Sequence, residues 1–224
     1  MASSVSSSPV VLRCQGILFD MDGILISSLA SVERSWTKWA NLRGLNPAHV
    51  LSVIHGRRAI ESAAELRPDL DPGAELKLIE EIECADGDGI EILPGVKELL
   101  SALPAHRWTV VTSATEKLAR TRLALIGLPL PERLITADSV PQGKPHPAPY
   151  LEGAKLLGFA PESCVVFEDS ASGVLAGEAA GCTVIGTTFS HSPEELAAAH
   201  YLVRDLTQID VEVSEAGLEL TLRP

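Results

Sequence analysis

Two aspartates separated by one residue, in Asp20-Met21-Asp22-Gly23, directly follow an apolar stretch that runs from Cys14 to Phe19. Carboxylates delivered by a buried strand are costly without a positive partner, and a bound cation would supply one. The same run also occurs as an ordinary turn or helix cap. A calcium loop of the EF-hand type does not fit. That loop needs glycine at position six and glutamate at position twelve, whereas Gly23 falls fourth and Ser31 twelfth. Asp86-Gly87-Asp88-Gly89 fails the same test, since Cys84 would take the first ligand position.

Three more segments carry polar groups in comparable places. Val110-Val111-Thr112-Ser113 is an apolar run ending in hydroxyls. With the Ala114 backbone N–H, Ser113 could bind phosphate oxygens, although an isolated serine there is more commonly a helix cap. Lys144 lies between Gly143 and Pro145, with Pro147 beyond, so its backbone has little freedom, which suits one positive charge aimed at an anion. Val165-Val166-Phe167 then leads into a second acidic pair, Glu168 and Asp169. A hydrophobic core does not explain two strands that each end in paired acids. A cation does.

The elements that must position these groups are legible from periodicity. Cys14 to Phe19, Trp108 to Thr112, Cys164 to Phe167 and Thr183 to Ile185 are continuous apolar runs rich in β-branched residues, as expected of strands buried on both faces. Leu134 to Thr136 and Tyr201 to Val203 are shorter candidates. Helical stretches at Pro94–Ala102, Glu116–Ile126, Ala148–Leu157 and Ser170–Ala180 alternate with them, and Gly127, Gly158 and Gly181 mark helix ends. The alternation predicts an α/β fold: a Rossmann-like, doubly wound parallel sheet with its ligand beyond the C-terminal strand ends. From about Ser28 to Glu91 the pattern changes to amphipathic segments alone, at Ala30–Leu42, Ala48–Ile54, Arg58–Leu66 and Ala74–Ala85. We read these as an inserted α-helical cap over residues 28–91, left through the polar, glycine-rich Ala85 to Gly89. Residues 11–27 and 92–224 then form the core, and residues 1–10 a frayed tail.

Composition narrows the functions. Of 224 residues, 46% are apolar and 21% charged, with no apolar run of membrane-spanning length. Thirty acidic against 18 basic residues give a net charge of −12, which disfavours nucleic acid. A small phosphorylated substrate remains compatible, because a metal and a few local cations invert the field inside a cleft. Cys14, Cys84, Cys164 and Cys182 are widely spaced and fit no disulfide framework; with no secretory leader in MASSVSSSP, they point to a cytoplasmic protein.

The ordered set of Asp-x-Asp, Ser, Lys and Glu-Asp, each at the end of its own strand, resembles the haloacid dehalogenase superfamily of phosphotransferases. The likeness covers essentially the whole chain after the tail. A helical cap between the first two motifs resembles the branch that closes over small substrates. The runs VVTSAT and ITADSVPQGKPHPAPYLEGAKLLG look most like its glycerol-phosphate and hexose-phosphate phosphatases. The resemblance implies that Asp20 attacks phosphorus and that Asp22 acts as general acid and base. It implies Mg²⁺ held by Asp20, the Asp22 main-chain carbonyl and Asp169, with Glu168 as a further ligand or supporting acid. It also implies phosphate oxygens on Ser113 and the Ala114 N–H, with Lys144 offsetting their charge. Hard oxygen ligands suit Mg²⁺.

Two positions depart from the common first motif: Ile24 replaces a threonine and Ser27 an aspartate. Mutases on the same core usually carry a histidine early in the cap, and Ser31 to Trp36 has none; Glu33 is its prominent polar residue. A non-catalytic binding protein of this fold would be expected to lose Asp20 or Asp22, and both are present. The cap turn His55-Gly56-Arg57-Arg58 is therefore expected, with Glu33, to contact the substrate. The expected partner is a small phosphorylated metabolite, without nucleic acid or membrane, acted on by a monomer.

Overall fold

The computed structural model describes residues 9–54, 56–129 and 131–223. Its centre is a five-stranded parallel sheet of β2 (Gly16–Phe19), β5 (Trp108–Val110), β6 (Cys164–Glu168), β7 (Thr183–Thr187) and β8 (Tyr201–Val203), in the order β5-β2-β6-β7-β8. Side chains alternate across it. Ile17, Phe19, Val165 and Phe167 enter one core cluster with α5 (Val96–Ala102) and α6 (Glu116–Leu125). Leu18, Val166 and Val184 enter a second cluster with α7 (Ala148–Leu157) and α8 (Ala171–Ala179). Helices thus cover both faces, which is why the strands read as unbroken apolar runs. Leu134 to Thr136 makes only a single parallel bridge, Ile135 to Val111, where a strand was expected.

The apolar run beginning at Cys14 is not one strand. The chain turns at Gln15 and separates β1 (Val10–Cys14) from β2. β1 pairs antiparallel with β10 (Gly217–Leu222), which pairs with β9 (Ile209–Ser214) in a separate sheet. This sheet lays Leu218, Leu220 and Leu222 against the first core cluster. Ordered strand therefore begins at Val10, inside the expected tail, and residues 1–8 lie outside the described residues. The C-terminal hairpin was not expected, because it alternates apolar with polar residues instead of forming a continuous run.

Between β3 (Ile26–Ser27) and β4 (Glu91–Ile92) lie α1 (Leu29–Leu42), α2 (Pro47–Ile54), α3 (Ala59–Leu66) and α4 (Pro72–Ala85). β3 and β4 pair antiparallel, setting Ser27 opposite Glu91. The four helices have their own small core, centred on Trp36, Trp39, Val50, Ile54 and Ile79. Trp39 Nε1 and the Arg43 guanidinium both donate to the Glu75 carboxylate beside it. The polar exit is pinned: Arg34 forks onto Asp86 at 2.8 and 2.7 Å and also reaches the Asp88 carbonyl.

Candidate active site

Each sequence motif meets the others at one edge of the sheet for a local reason. Asp20 and Asp169 continue β2 and β6, which run parallel in register, Phe19 beside Phe167. Gly23 turns the chain after Asp22 with φ 85°, and a Cβ there would lie 1.8 Å from Asp169 Oδ2. Only glycine lets the two acidic segments approach this closely. At the end of β6, Ser170 caps α8 by accepting from the Gly173 N–H, and its hydroxyl donates to Glu168.

Lys144 joins these segments. Its ammonium donates to Asp20 Oδ1 at 2.7 Å, Glu168 Oε1 at 2.6 Å and the Val111 carbonyl at 3.2 Å. It is 3% exposed, and the two carboxylates outweigh burial and keep it protonated. Glu168 is fully enclosed. Its Oε1 also accepts from the Tyr150 hydroxyl at 2.8 Å, while Oε2 accepts from the Asp169 and Ser170 N–H groups. Burial would raise Glu168, but Lys144 overrides it and holds the carboxyl below its usual range.

The other acids are poorly compensated. Burial pushes Asp20 well above the usual carboxylate range; Lys144 opposes this, while Glu168 and Asp169 reinforce it. Burial, then Glu168, pushes Asp169 up to about 7, although Ser190 donates a hydrogen bond to it. Asp20, Glu168 and Asp169 each offer an oxygen within 4.8 Å of the others. With Glu168 committed to Lys144, Asp20 and Asp169 are the two buried acids whose charge a hard divalent cation would offset.

Asp22 is half-buried beside Ser28, the residue that precedes α1. Its Oδ1 accepts from the Ser28 hydroxyl at 2.5 Å and from Arg122 Nη1 at 3.0 Å. Ser113 and Ala114 line the same cleft, with the Ala114 N–H donating to Thr112 Oγ1 at 3.1 Å, so that donor is already engaged. The cleft has a volume of about 290 Å³ between the sheet edge and the four helices. Leu29, Val32, Trp36 and Leu76 give it an apolar side, and Thr115, Glu80, Glu83 and Arg122 a polar one.

A family model for haloacid dehalogenase-like hydrolases matches residues 14–181. The chain belongs to that family. It is 44% identical over 211 residues to hexitol phosphatase A of Escherichia coli (strain K12), covering 92% of this chain and 98% of the relative. Glycerol-1-phosphate phosphohydrolase 1 of Saccharomyces cerevisiae (strain ATCC 204508 / S288c) is 37% identical over 199 residues, with 83% and 80% covered. The fold also resembles β-phosphoglucomutase from Clostridium difficile, with TM-score 0.77 at 22% identity over 88% of this chain and 94% of that one.

Within this family member the expected cap contacts divide. Glu33 is exposed and lies outside the cleft, in a shallow groove with Arg34, Lys38 and Asn41. The helical period explains the correction: Leu29, Val32 and Trp36 share the cleft face of α1, and Glu33 is turned away from it. His55 lies outside the described residues. Arg57 lines the cleft but is paired with Glu65 at 2.7 Å. Arg58 bonds Glu61 and reaches across to the carbonyls of Ala137, Val140 and Pro141, which ties the helical unit to the core.

Sequence reading missed Ser28, Glu83, Arg122, Tyr150 and Ser190. For two of them a signal existed. Arg122 interrupts the buried stripe of Leu118, Ala119 and Leu123 on α6, and Glu83 interrupts that of Ile79 and Ile82 on α4. A charge at a core position of a helix implies a buried partner.

Proposed function

We propose that this hydrolase is a Mg²⁺-dependent phosphatase of a small sugar or polyol monophosphate, working through a phosphorylated Asp20. The observation that carries the proposal is the Asp20 carboxylate, held by a buried lysine among further buried acids and opening onto a small cleft beside Asp22. In this reading residues 28–91 are a cap that encloses the substrate over a core of residues 11–27 and 92–224. The sugar and polyol phosphatases among its relatives support the substrate class.

Asp20 and Asp169, with the Asp22 main-chain carbonyl, would hold Mg²⁺, and the bound ion would neutralise charge on the transferring phosphoryl group. Both Glu168 oxygens are engaged, so we assign Glu168 to holding Lys144 and not to the metal. Lys144 opposes the upward push of burial on Asp20 and offsets phosphoryl charge. Ser113 and the Ala114 N–H, once released from Thr112, would hold phosphate oxygens.

Asp20 forms the new P–O bond as the ester P–O bond breaks, and Asp22 gives its proton to the departing alkoxide. Asp22, now a carboxylate, takes a proton from water, whose oxygen attacks phosphorus and expels Asp20. Inorganic phosphate and the free alcohol leave. Phosphate release from a panel of sugar and polyol monophosphates, with Mg²⁺ and with EDTA, tests the reading. Asp20→Asn should abolish turnover, and substantial residual activity would remove Asp20 from the nucleophile's role.

A further inference from the structure

Arg122 spans the junction of core and cap from a buried position on α6. Its Nη1 donates to Asp22 Oδ1 at 3.0 Å and its Nη2 to Glu83 Oε1 at 3.1 Å. The third nitrogen, Nε, is buried, and its N–H meets no acceptor among the described residues. Buried donors rarely go unpaired without a reason. Arg122 and Glu83 both line the cleft, so an acceptor entering with the substrate would complete the fork.

Two observations say which acceptor. The single positive charge of Arg122 is already shared by the Asp22 and Glu83 carboxyls, so a second anion finds no net positive charge at the fork. A hydroxyl, by contrast, accepts from Nε–H and donates its own proton to Glu83, which an ionised phosphate or carboxylate cannot do. The other cations lining the cleft are also spoken for: Lys144 by Asp20 and Glu168, Arg57 by Glu65, Arg58 by Glu61. Among the described residues no lysine or arginine of the cleft is left for a second anionic group.

We propose that Arg122 and Glu83 together read a hydroxyl next to the phosphorylated carbon, and so select neutral polyol or sugar monophosphates over substrates bearing a second anion. The position follows from the planar guanidinium: Nη1 touches Asp22, the group assigned to protonate the leaving oxygen, while Nε–H shares the Nη2 edge beside Glu83, so a hydroxyl held there sits one guanidinium's width from that oxygen. This assignment rests on the phosphatase reading above.

The test is phosphate release by the full chain with Mg²⁺ from three substrates of similar size. Glycerol 1-phosphate carries the hydroxyl, 3-hydroxypropyl phosphate lacks it, and phosphoglycolate places a carboxylate there. The wild-type protein should prefer the first over each of the others by about tenfold or more in kcat/KM. Arg122→Lys keeps the charge without Nε, and should bring the ratio of the first two substrates to about one. Glu83→Gln keeps the shape without the charge, and should raise phosphoglycolate relative to glycerol 1-phosphate by about fivefold or more. A purely structural pair would lower all three substrates in proportion and leave both ratios unchanged, which overturns the proposal. If Arg122→Lys fails to fold, the Glu83→Gln ratio decides. A wild-type protein active on all three without preference also overturns this assignment alone, whereas one inactive on these and on the wider panel overturns the phosphatase reading with it.

Discussion

Replacing Lys144 by methionine keeps most of the side-chain volume and removes the charge that two buried carboxylates share. Asp20 Oδ1 and Glu168 Oε1 lie 2.7 and 2.6 Å from the ammonium, and nothing else among the described residues pairs Asp20 with a cation. Breaking a buried pair by deleting one partner costs about 3–5 kcal/mol, because the other charge stays buried. In a protein of this size each kcal/mol moves the melting temperature by about 2–4 °C, so Lys144→Met should melt about 6–20 °C lower. The penalty should depend on pH. In the wild type Glu168 is depressed on folding, so it contributes stability above its unfolded pKa and loses it as pH falls. Without Lys144, burial and mutual repulsion raise both carboxyls, which take up protons on folding, so acidification relieves the variant. The gap between the proteins should be widest near about pH 8 and narrow toward about pH 5. Thermal melts of both metal-free proteins, followed by circular dichroism, measure it. A variant within about 2 °C of wild type near about pH 8 would refute the claim that this lysine compensates the buried acids.

Asp22→Asn should slow turnover by roughly 10²–10⁴ while Mg²⁺ affinity changes far less, because only the Asp22 backbone is assigned to the metal; lost affinity with a normal rate per bound metal would contradict this. Arg58→Ala should lower kcat/KM for sugar phosphates and p-nitrophenyl phosphate alike, since the lost bonds join cap to core; a loss confined to the sugar phosphate would instead make Arg58 a substrate contact. Mg²⁺ should raise the melting temperature more near about pH 8 than near about pH 5. Asp169 is pushed up to about 7, so the metal-free folded state binds a proton that the unfolded chain has lost, and its stability declines as pH rises through that window. An equal shift at both pH values would count against Asp169 as a ligand.

The amino-acid sequence by itself determined most of the sheet, the run of helices after the first strands and the four motifs, because each is a local pattern; Lys144 alone follows no strand and sits in the loop before α7. A strand buried on both faces needs a continuous apolar run. The C-terminal hairpin left a local trace too, in the alternation of Leu218, Leu220 and Leu222, but which strand it would join was a question of distant pairing. Only the tertiary structure decided how the site is compensated and which residues of α1 to α4 face it. Arg122 and Asp22 are 100 positions apart and Arg122 and Glu83 are 39, so their fork exists only once α6 has packed against α4 and the chain after β2. Glu33 and the arginines at positions 57 and 58 were equally polar in the sequence. The rotation of α1 turns Glu33 outward, and the bonds to Glu65, Glu61 and three core carbonyls commit the arginines elsewhere. Residue type sets what a group can do, but direction and partners are properties of the packed chain.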